Sequence, residues 1–336
     1  MIHFVVVAVL VLITTFLLGT FVNLDNFLPA QASQQAVAID WLFGVHGWLI
    51  AFFFSLIVVF ILYSVVVFRR RNGELGDGVY MTGNLRLEII WTVVPLIIVL
   101  ALAVIGADSL AEVERRTVGE LQVDVYASQW NWRFQYENGA TSNVLVLPKD
   151  QAILLRLHSS DVIHSFFVPE FRLKQDVLPG GEEFTRELRV TPTVIGEYKI
   201  RCAEICGQLH YSMLADVSVV DAAEFNAWLA DAGASCSGGP EACGQRWAEQ
   251  FGCVACHSTD GSVIVGPSWL GLVGREAVLE DGSTVIVDDA YIHESIVDPN
   301  AKIVEGFVAG VMPQNFAEIL TEEQINDLTA FILSLR

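Results

Sequence analysis

Along the chain the spacing of apolar positions changes character three times. Residues 4–22, FVVVAVLVLITTFLLGTFV, are apolar without a charge, and longer apolar runs follow at 41–68 and 89–110. At about 1.5 Å per residue both longer runs exceed a hydrocarbon core of about 30 Å, so each predicts a membrane-spanning helix. Pro95 lies inside the third run, which a membrane helix tolerates where neighbours satisfy the freed carbonyl. From about 119 to 222 the period drops to two, in LQVDVYASQWNWRFQY, NVLVLPKDQAILLRLHS and LADVSVV, with Pro and Gly turns between. That pattern predicts the short strands of a β-sandwich or barrel. Residues 223–231 predict a short helix, GASCSGGPEACG reads as a Gly-rich linker, and helical spacing returns from Gln245 onward. Thr321 followed by Gln324 predicts a capping box at the start of the last helix. The expected organisation is a membrane anchor over 1–112, a β domain over 119–222, a linker over 223–243 and a helical domain over 244–336.

Charge sets the orientation. The loop between the second and third runs carries Arg69, Arg70, Arg71 and Arg86, so the positive-inside rule makes it cytoplasmic and puts everything past residue 110 outside. The segment 23–40 holds Asp25 and Asp40 and no Lys or Arg, so it also reads as outside. The first run fits both a third spanning helix and a cleaved signal, with Ala30-Gln31-Ala32 as the small-residue site and residues 1–32 removed. Its length favours the helix. The net charge of −20 excludes nucleic acid as a partner and leaves a basic protein as one. Six cysteines form three pairs, all in the outer part, where metals, thioether attachment and disulfides are all compatible with them.

The first pair lies in RCAEICGQLHYSM. Cys202, Cys206, His210 and Met213 offer thiolate, imidazole and thioether, soft donors that suit copper. A single-copper site needs one cysteine, whereas two thiolates can bridge two coppers and share one electron between them. Such a pair needs a second imidazole, and His164, at the end of an upstream strand, is the natural source. A structural zinc or a Cys202–Cys206 disulfide competes, but zinc has no use for Met213. His158 reads as a strand-surface residue, and Trp132, Phe134 and Tyr136 as core or face aromatics.

The motifs DVIHSF, LKQDVLPG, CAEICGQLHYSM and SQWNWRFQY, with LEIIWTVVP in the third apolar run, resemble subunit II of haem-copper cytochrome c oxidase, with its binuclear copper (CuA) domain. The resemblance covers about residues 40–222. It implies a cupredoxin-like sandwich with coppers held by His164, Cys202, Cys206, His210 and Met213. It also implies that Glu204 gives one copper its backbone carbonyl and reaches a magnesium with its carboxylate, at the contact with the catalytic subunit. Trp130 matches the family's electron-entry position, and Glu88 a carboxylate near the mouth of a proton path; as a plain residue, Glu88 is a boundary glutamate beside a membrane helix. Lys174–Asp176 matches the loop presented to the large subunit. The family usually has two membrane helices, so the run at 4–22 is a departure.

The second pair lies in CVACH, the C-x-x-C-H signature of covalent haem c attachment. Cys253 and Cys256 would add across the haem vinyls and His257 would be the proximal ligand. The order CVACH, VGPSWLGLVGR, GVMPQNF and a terminal helix resembles class I cytochromes c over 244–336. It implies Met312 as distal ligand, a thioether that raises the iron potential. Pro267 matches the residue that orients the imidazole and Arg275 one near a propionate, while Gly244, Trp247, Leu328 and Phe331 would join first and last helices. His293 competes with Met312 but lies in a helix-like stretch away from the turn. His3 and His46 read as satisfied or interfacial histidines.

The expectation is therefore multidomain: transmembrane helices, an all-β cupredoxin-like domain and an all-α class I cytochrome c domain. The resemblance implies the electron-entry subunit of a proton-translocating terminal oxidase in a bacterial inner membrane. Its partners would be the catalytic subunit I, subunit III, an external electron donor and lipid. The chain itself has no histidine set in its apolar runs that could hold a dioxygen site. A stand-alone copper and haem carrier explains the metal motifs but neither LEIIWTVVP nor Lys174–Asp176; a copper chaperone would need no haem. Cys236 and Cys243 match neither family and are expected to pair as a disulfide. A flexible linker over 223–243 would span about 25 Å. The expected path runs from donor to haem, past Trp130 to copper, and on to the partner subunit.

Overall fold

A computed structural model describes residues 2–21, 27–70, 73, 78, 80–233, 236 and 238–336. Arg71 and Asp25, used above for orientation, lie outside the described residues. The chain divides into two units, one ending at Arg115 and one beginning at Arg116.

The first unit is helical. Helices α1 (Ile2–Phe21), α2 (Gln34–Val67) and α3 (Leu85–Val113) are each long and apolar enough to cross a membrane. The second and third begin earlier than expected, because polar caps lie upstream of the apolar runs. Ser33 Oγ accepts the Ala36 N–H at 3.0 Å and starts α2 at Gln34 rather than 41. Asn84 Oδ1 accepts the Leu87 N–H at 3.3 Å, while Glu88 Oε1 accepts the Asn84 N–H at 3.1 Å. This reciprocal cap starts α3 at Leu85. The first helix packs on the second: His3 Nδ1 is 2.7 Å from the Tyr63 hydroxyl, and Trp48 lies so close to Gly19 that a side chain there would clash with its ring.

The second unit opens with a β-sandwich. Its first sheet runs β3-β2-β1-β5-β8, built from β1 (Leu121–Ser128), β2 (Asn131–Tyr136), β3 (Thr141–Ser142), β5 (Ile153–Ser159) and β8 (Arg186–Val190). The second runs β4-β10-β9-β6-β7, from β4 (Leu145–Pro148), β6 (His164–Val168), β7 (Leu173–Val177), β9 (Gly196–Cys202) and β10 (Leu214–Val220). Pairing is antiparallel except between β1 and β5 and between β4 and β10. Alternation follows from the pleat. Along β2, Trp132, Phe134 and Tyr136 are buried between the sheets while Asn131, Arg133 and Gln135 face outward. Val123, Val125, Leu155, Leu157, Phe166, Ile200 and Val217 fill the same interior.

Most of the segment expected to be a loose linker is ordered. Helix α4 (Ala222–Ala232), capped by Asp221, lies on the sandwich, with Phe225 buried and the Trp228 ring 4.9 Å from that of Tyr136. The Asn138 side chain donates to the Leu229 carbonyl at 2.9 Å. A freely flexible tether of about 25 Å reach is thus replaced by a docked helix, because residues 222–229 carry apolar side chains that find the end of β2.

The helical domain comprises α5 (Pro240–Gln250), α6 (Asp289–Val297), α7 (Phe316–Ile319) and α8 (Glu322–Ser334). The Thr321–Gln324 capping box opens α8. Gly244 lets α5 approach the Asp327 backbone of α8, and Trp247 Nε1 donates to Asp327 at 3.1 Å. A small ribbon of β11 (Glu276–Val278) and β12 (Thr284–Ile286) interrupts the helices, turning at Gly282, whose φ is +82°. Cys236 and Cys243 form a disulfide at the start of α5, with Cα atoms 5.6 Å apart.

Candidate metal centres

The end of β9 and the start of β10 hold a loop whose backbone closes on itself. Cys202 N–H bonds the Met213 carbonyl at 3.1 Å, and Ala203 N–H bonds the Ser165 carbonyl at 2.9 Å. The closure gathers side chains from two strands. Cys202 and Cys206 sulfurs are 3.7 Å apart; Cys206 Sγ is 3.7 Å from His210 Nδ1 and 3.7 Å from Met213 Sδ. His164, first residue of β6, puts Nδ1 4.0 Å from Cys202 Sγ. The Glu204 carbonyl oxygen lies 3.3 Å from the same sulfur, while its exposed side chain turns to the Ile205 N–H. All five side chains of the expected copper set and the Glu204 carbonyl thus converge.

Neighbouring groups orient this set. His164 Nε2 donates to Asp161 at 2.8 Å, leaving Nδ1 toward the sulfurs. Asp161 also accepts the Gln129 and Val162 N–H groups, both at 2.6 Å. Burial opposes its ionisation, but these bonds outweigh burial and hold its carboxyl below the usual carboxylate range. Gln129 Nε2 donates to the Cys206 carbonyl at 2.6 Å. Trp130 lies against Gly207, whose φ of +121° and lack of Cβ admit the ring. Trp132 is fully buried, its ring edge-on to His164 at 6.3 Å and to Phe166 at 5.8 Å.

The donor set fits a copper pair. Burial opposes ionisation of Cys202, yet hydrogen bonding to His164 and nearby backbone lowers its pKa. Burial and the Cys202 charge push Cys206 up. Two thiolates at this spacing therefore call for cationic charge between them, which bound metal supplies.

The haem-type set is built by the turn after α5. Gly252, in the left-handed region at φ +74°, leads into the turn Cys253–Ala255. Cys253 and Cys256 are free thiols, each with its pKa raised by burial. His257 Nδ1 donates to the Pro267 carbonyl at 2.9 Å, and Trp269 stacks on the ring at 5.1 Å. Burial lowers the His257 pKa, which favours the neutral, ligating imidazole with Nε2 free. Gly266 passes so near that a Cβ there would be 2.6 Å from His257 Cε1. Met312 is half-buried and packs on the same apolar cluster as Cys253 and Leu272. His293 is held elsewhere, 3.1 Å from Glu322. Arg275 donates to the Leu270 carbonyl at 3.3 Å. An imidazole oriented by Pro267 and stacked on Trp269, with Cys253 and Met312 packed against the same apolar cluster as Trp269, fits a covalently held haem.

Sequence reasoning missed Asp161 and Gln129. Both stood in motifs already singled out, Asp161 three residues before His164 in DVIHSF and Gln129 beside Trp130 in SQWNWRFQY. His158, read as a surface strand residue, joins a network, 3.0 Å from Asp124 and 3.1 Å from the Thr185 hydroxyl.

Three family models match the chain: cytochrome c oxidase subunit II, transmembrane domain, over 20–108; cytochrome c oxidase subunit II, periplasmic domain, over 135–220; and cytochrome c over 242–336. A cytochrome c oxidase subunit 2 of Thermostichus vulcanus is 31% identical over 257 residues, covering 60% of this chain and 77% of the relative. One of Alkalihalophilus pseudofirmus is 30% identical over 300 residues, covering 83% of this chain and 82% of the relative. Among solved structures, the periplasmic domain of subunit II of cytochrome oxidase from Bradyrhizobium japonicum is 27% identical, covering 33% of this chain and 92% of that one, with a TM-score of 0.32.

Proposed function

The chain belongs to the cytochrome c oxidase subunit 2 family, and we propose that it receives electrons at a haem c and passes them through a binuclear copper centre to the subunit that reduces dioxygen. It is the electron-entry subunit of a haem-copper oxidase, anchored by apolar helices with its sandwich on the outer side. The other subunits of that oxidase are its partners. The observation that carries the copper assignment is the run of soft atoms, from Cys202 Sγ to Cys206 Sγ to His210 and Met213, at 3.7 Å steps.

Within this reading His164, Cys202, Cys206, His210, Met213 and the Glu204 carbonyl hold copper. Cys253 and Cys256 would attach the haem, and His257 and Met312 would be the side chains that ligate its iron. Bound copper and haem supply one-electron exchange without bond making. The protein's part is to keep the donors fixed: Asp161 holds the His164 tautomer, Pro267 holds that of His257, and Gln129 pins the copper loop. Fixed donors cost little reorganisation when an electron arrives.

Finer roles rest on the family resemblance. The exposed Glu204 carboxylate would reach a magnesium facing subunit I, and subunit III would complete the assembly. Trp130, against the copper loop, would admit electrons from an external donor. Glu88 would stand at a proton-path entry, although its bond to the Asn84 N–H already gives it a capping role. A stand-alone carrier is not favoured, since the family match extends through the anchor at 20–108.

The test is purification of the complex from membranes in mild detergent, with copper, haem c and subunits counted. Two coppers and one haem c per copy of this chain, with a mixed-valence copper spectrum and co-purifying oxidase subunits, are expected. A copy that carries zinc, or that purifies alone with full metal content, would refute the reading.

A further inference from the structure

Strand β2 touches both metal regions, one on each face. Its inward Trp132 is edge-on to His164 at 6.3 Å. Its outward Asn131, the adjacent residue, meets the cytochrome region at Gly252, immediately before Cys253. A Cβ at position 252 would sit 2.8 Å from Asn131 Nδ2 and 3.1 Å from its Oδ1, so a side chain there would displace the Asn131 amide, and the φ of +74° independently favours glycine. The seam is held on both sides. Gln250 Nε2 donates to the Thr141 hydroxyl at 2.9 Å and also to the Thr141 carbonyl. Asn315 Nδ2 lies 3.5 Å from Ser160 Oγ. Asn131, Arg133, Ser160, Phe251, Pro313 and Asn315 line a small polar cavity in the same seam.

We propose that Asn131 and Trp132 form the electronic connection from the fused haem turn to the copper ligand His164, with Gly252 setting the gap, so that electrons from the fused haem do not use Trp130. The route rests on the functional reading above. It runs from Cys253 through the Gly252 backbone, across one non-bonded gap to the Asn131 amide, along the β2 backbone to Trp132, and across a second gap to His164. One electron leaves a ferrous haem held at His257, which becomes ferric, and the copper pair held by Cys202 and Cys206 is reduced by one electron. No bond forms or breaks and no proton moves. Trp130 approaches copper from the Gly207 side of the loop and serves a donor arriving from solution. Asn131 and Gly252 are positioning residues: neither touches metal.

The experiment uses the full chain in its purified, metal-loaded complex. A flash-excited inorganic dye reduces the haem, and copper reduction is followed optically. Asn131→Ala removes the amide at the gap and should slow copper reduction several-fold with haem and copper spectra unchanged. Asn131→Asp, which keeps the same reach, should retain the rate. Gly252→Ala wedges the seam; it should slow the step and raise amide hydrogen exchange in 131–142 and 249–254 together. That readout does not depend on turnover. A wild-type rate in Asn131→Ala, or Trp130→Phe slowing the step as much as Asn131→Ala does, overturns the route while leaving the functional reading standing. A complex that loads no haem or no copper fells both.

Discussion

His164 Nε2 donates a hydrogen bond to Asp161 at 2.8 Å, and a carboxylate can only accept, so the nitrogen left for metal is Nδ1. Removing the carboxylate charge should loosen that choice. Asp161→Asn is expected to weaken copper binding by about 10–100-fold, the usual effect of losing such a supporting partner. Competition against a chelator of known affinity measures it, and unaltered affinity would refute the orienting role.

Cys206 is the hub of the copper loop, 3.7 Å from each of Cys202, His210 and Met213. Cys206→Ser should abolish the mixed-valence signal, because one bridging sulfur is lost. Met213→Leu should keep copper and shift its potential, since a thioether is a weak ligand. Electron paramagnetic resonance and a redox titration read the two effects.

At the haem turn, Gly266→Ala should displace the proximal ring, because the new methyl would stand 2.6 Å from His257 Cε1. The Pro267 bond would then be lost or bent. The expected result is a loss of the six-coordinate low-spin haem spectrum with attachment through Cys253 and Cys256 retained. An unchanged spectrum would mean that the ring is not confined there.

The part of each site that lies within one short stretch was legible: Cys202, Cys206, His210 and Met213 occupy one loop, and CVACH another. His164 could be proposed because a strand end is a recurrent place for a ligand, but its distance to Cys202 depends on β6 pairing with β9. The Asn131–Gly252 seam had no sequence signal, since a glycine before a haem turn and an asparagine opening a strand are each ordinary alone. Trp132 was read as a core aromatic and is one; what periodicity could not reveal is that the core it enters borders a metal ligand. The supposed tether was misjudged for a similar reason. The short helix over 223–231 was legible, but that it docks depends on Phe225 and Trp228 meeting Tyr136 at the end of β2, which no local pattern shows.

The disulfide between Cys236 and Cys243 closes a loop with a sequence separation of 7. Its loss should cost about 2 kcal/mol of local stability. Thermal unfolding of the cytochrome region in Cys236→Ser, compared with the oxidised parent, checks this. Thiol labelling of both residues in the unreduced protein would contradict the pairing.

Asp176 responds to pH. Hydrogen bonds from Lys174 and Ser165 hold its carboxyl below the ordinary carboxylate value. A depressed folded-state value stabilises the fold above the unfolded pKa of about 4, and the contribution disappears as pH falls through the folded value. The group is nearly half exposed, so the effect should stay under about 1 kcal/mol. Asp176→Asn should lower the unfolding temperature slightly at neutral pH and not at pH well below the folded value.

Because neighbours along a strand point to opposite sides, the two-residue turn Gln129–Trp130 fixes more than a bend. A one-residue insertion or deletion that keeps the turn at two residues would slip β2 by one position against β1, invert the strand's parity and send Trp132 toward the cytochrome region and Asn131 into the interior. The connection is therefore constrained twice, by the side chains of Gln129 and Trp130 that reach the copper loop and by its length, because the separation of inside from outside is counted in residues.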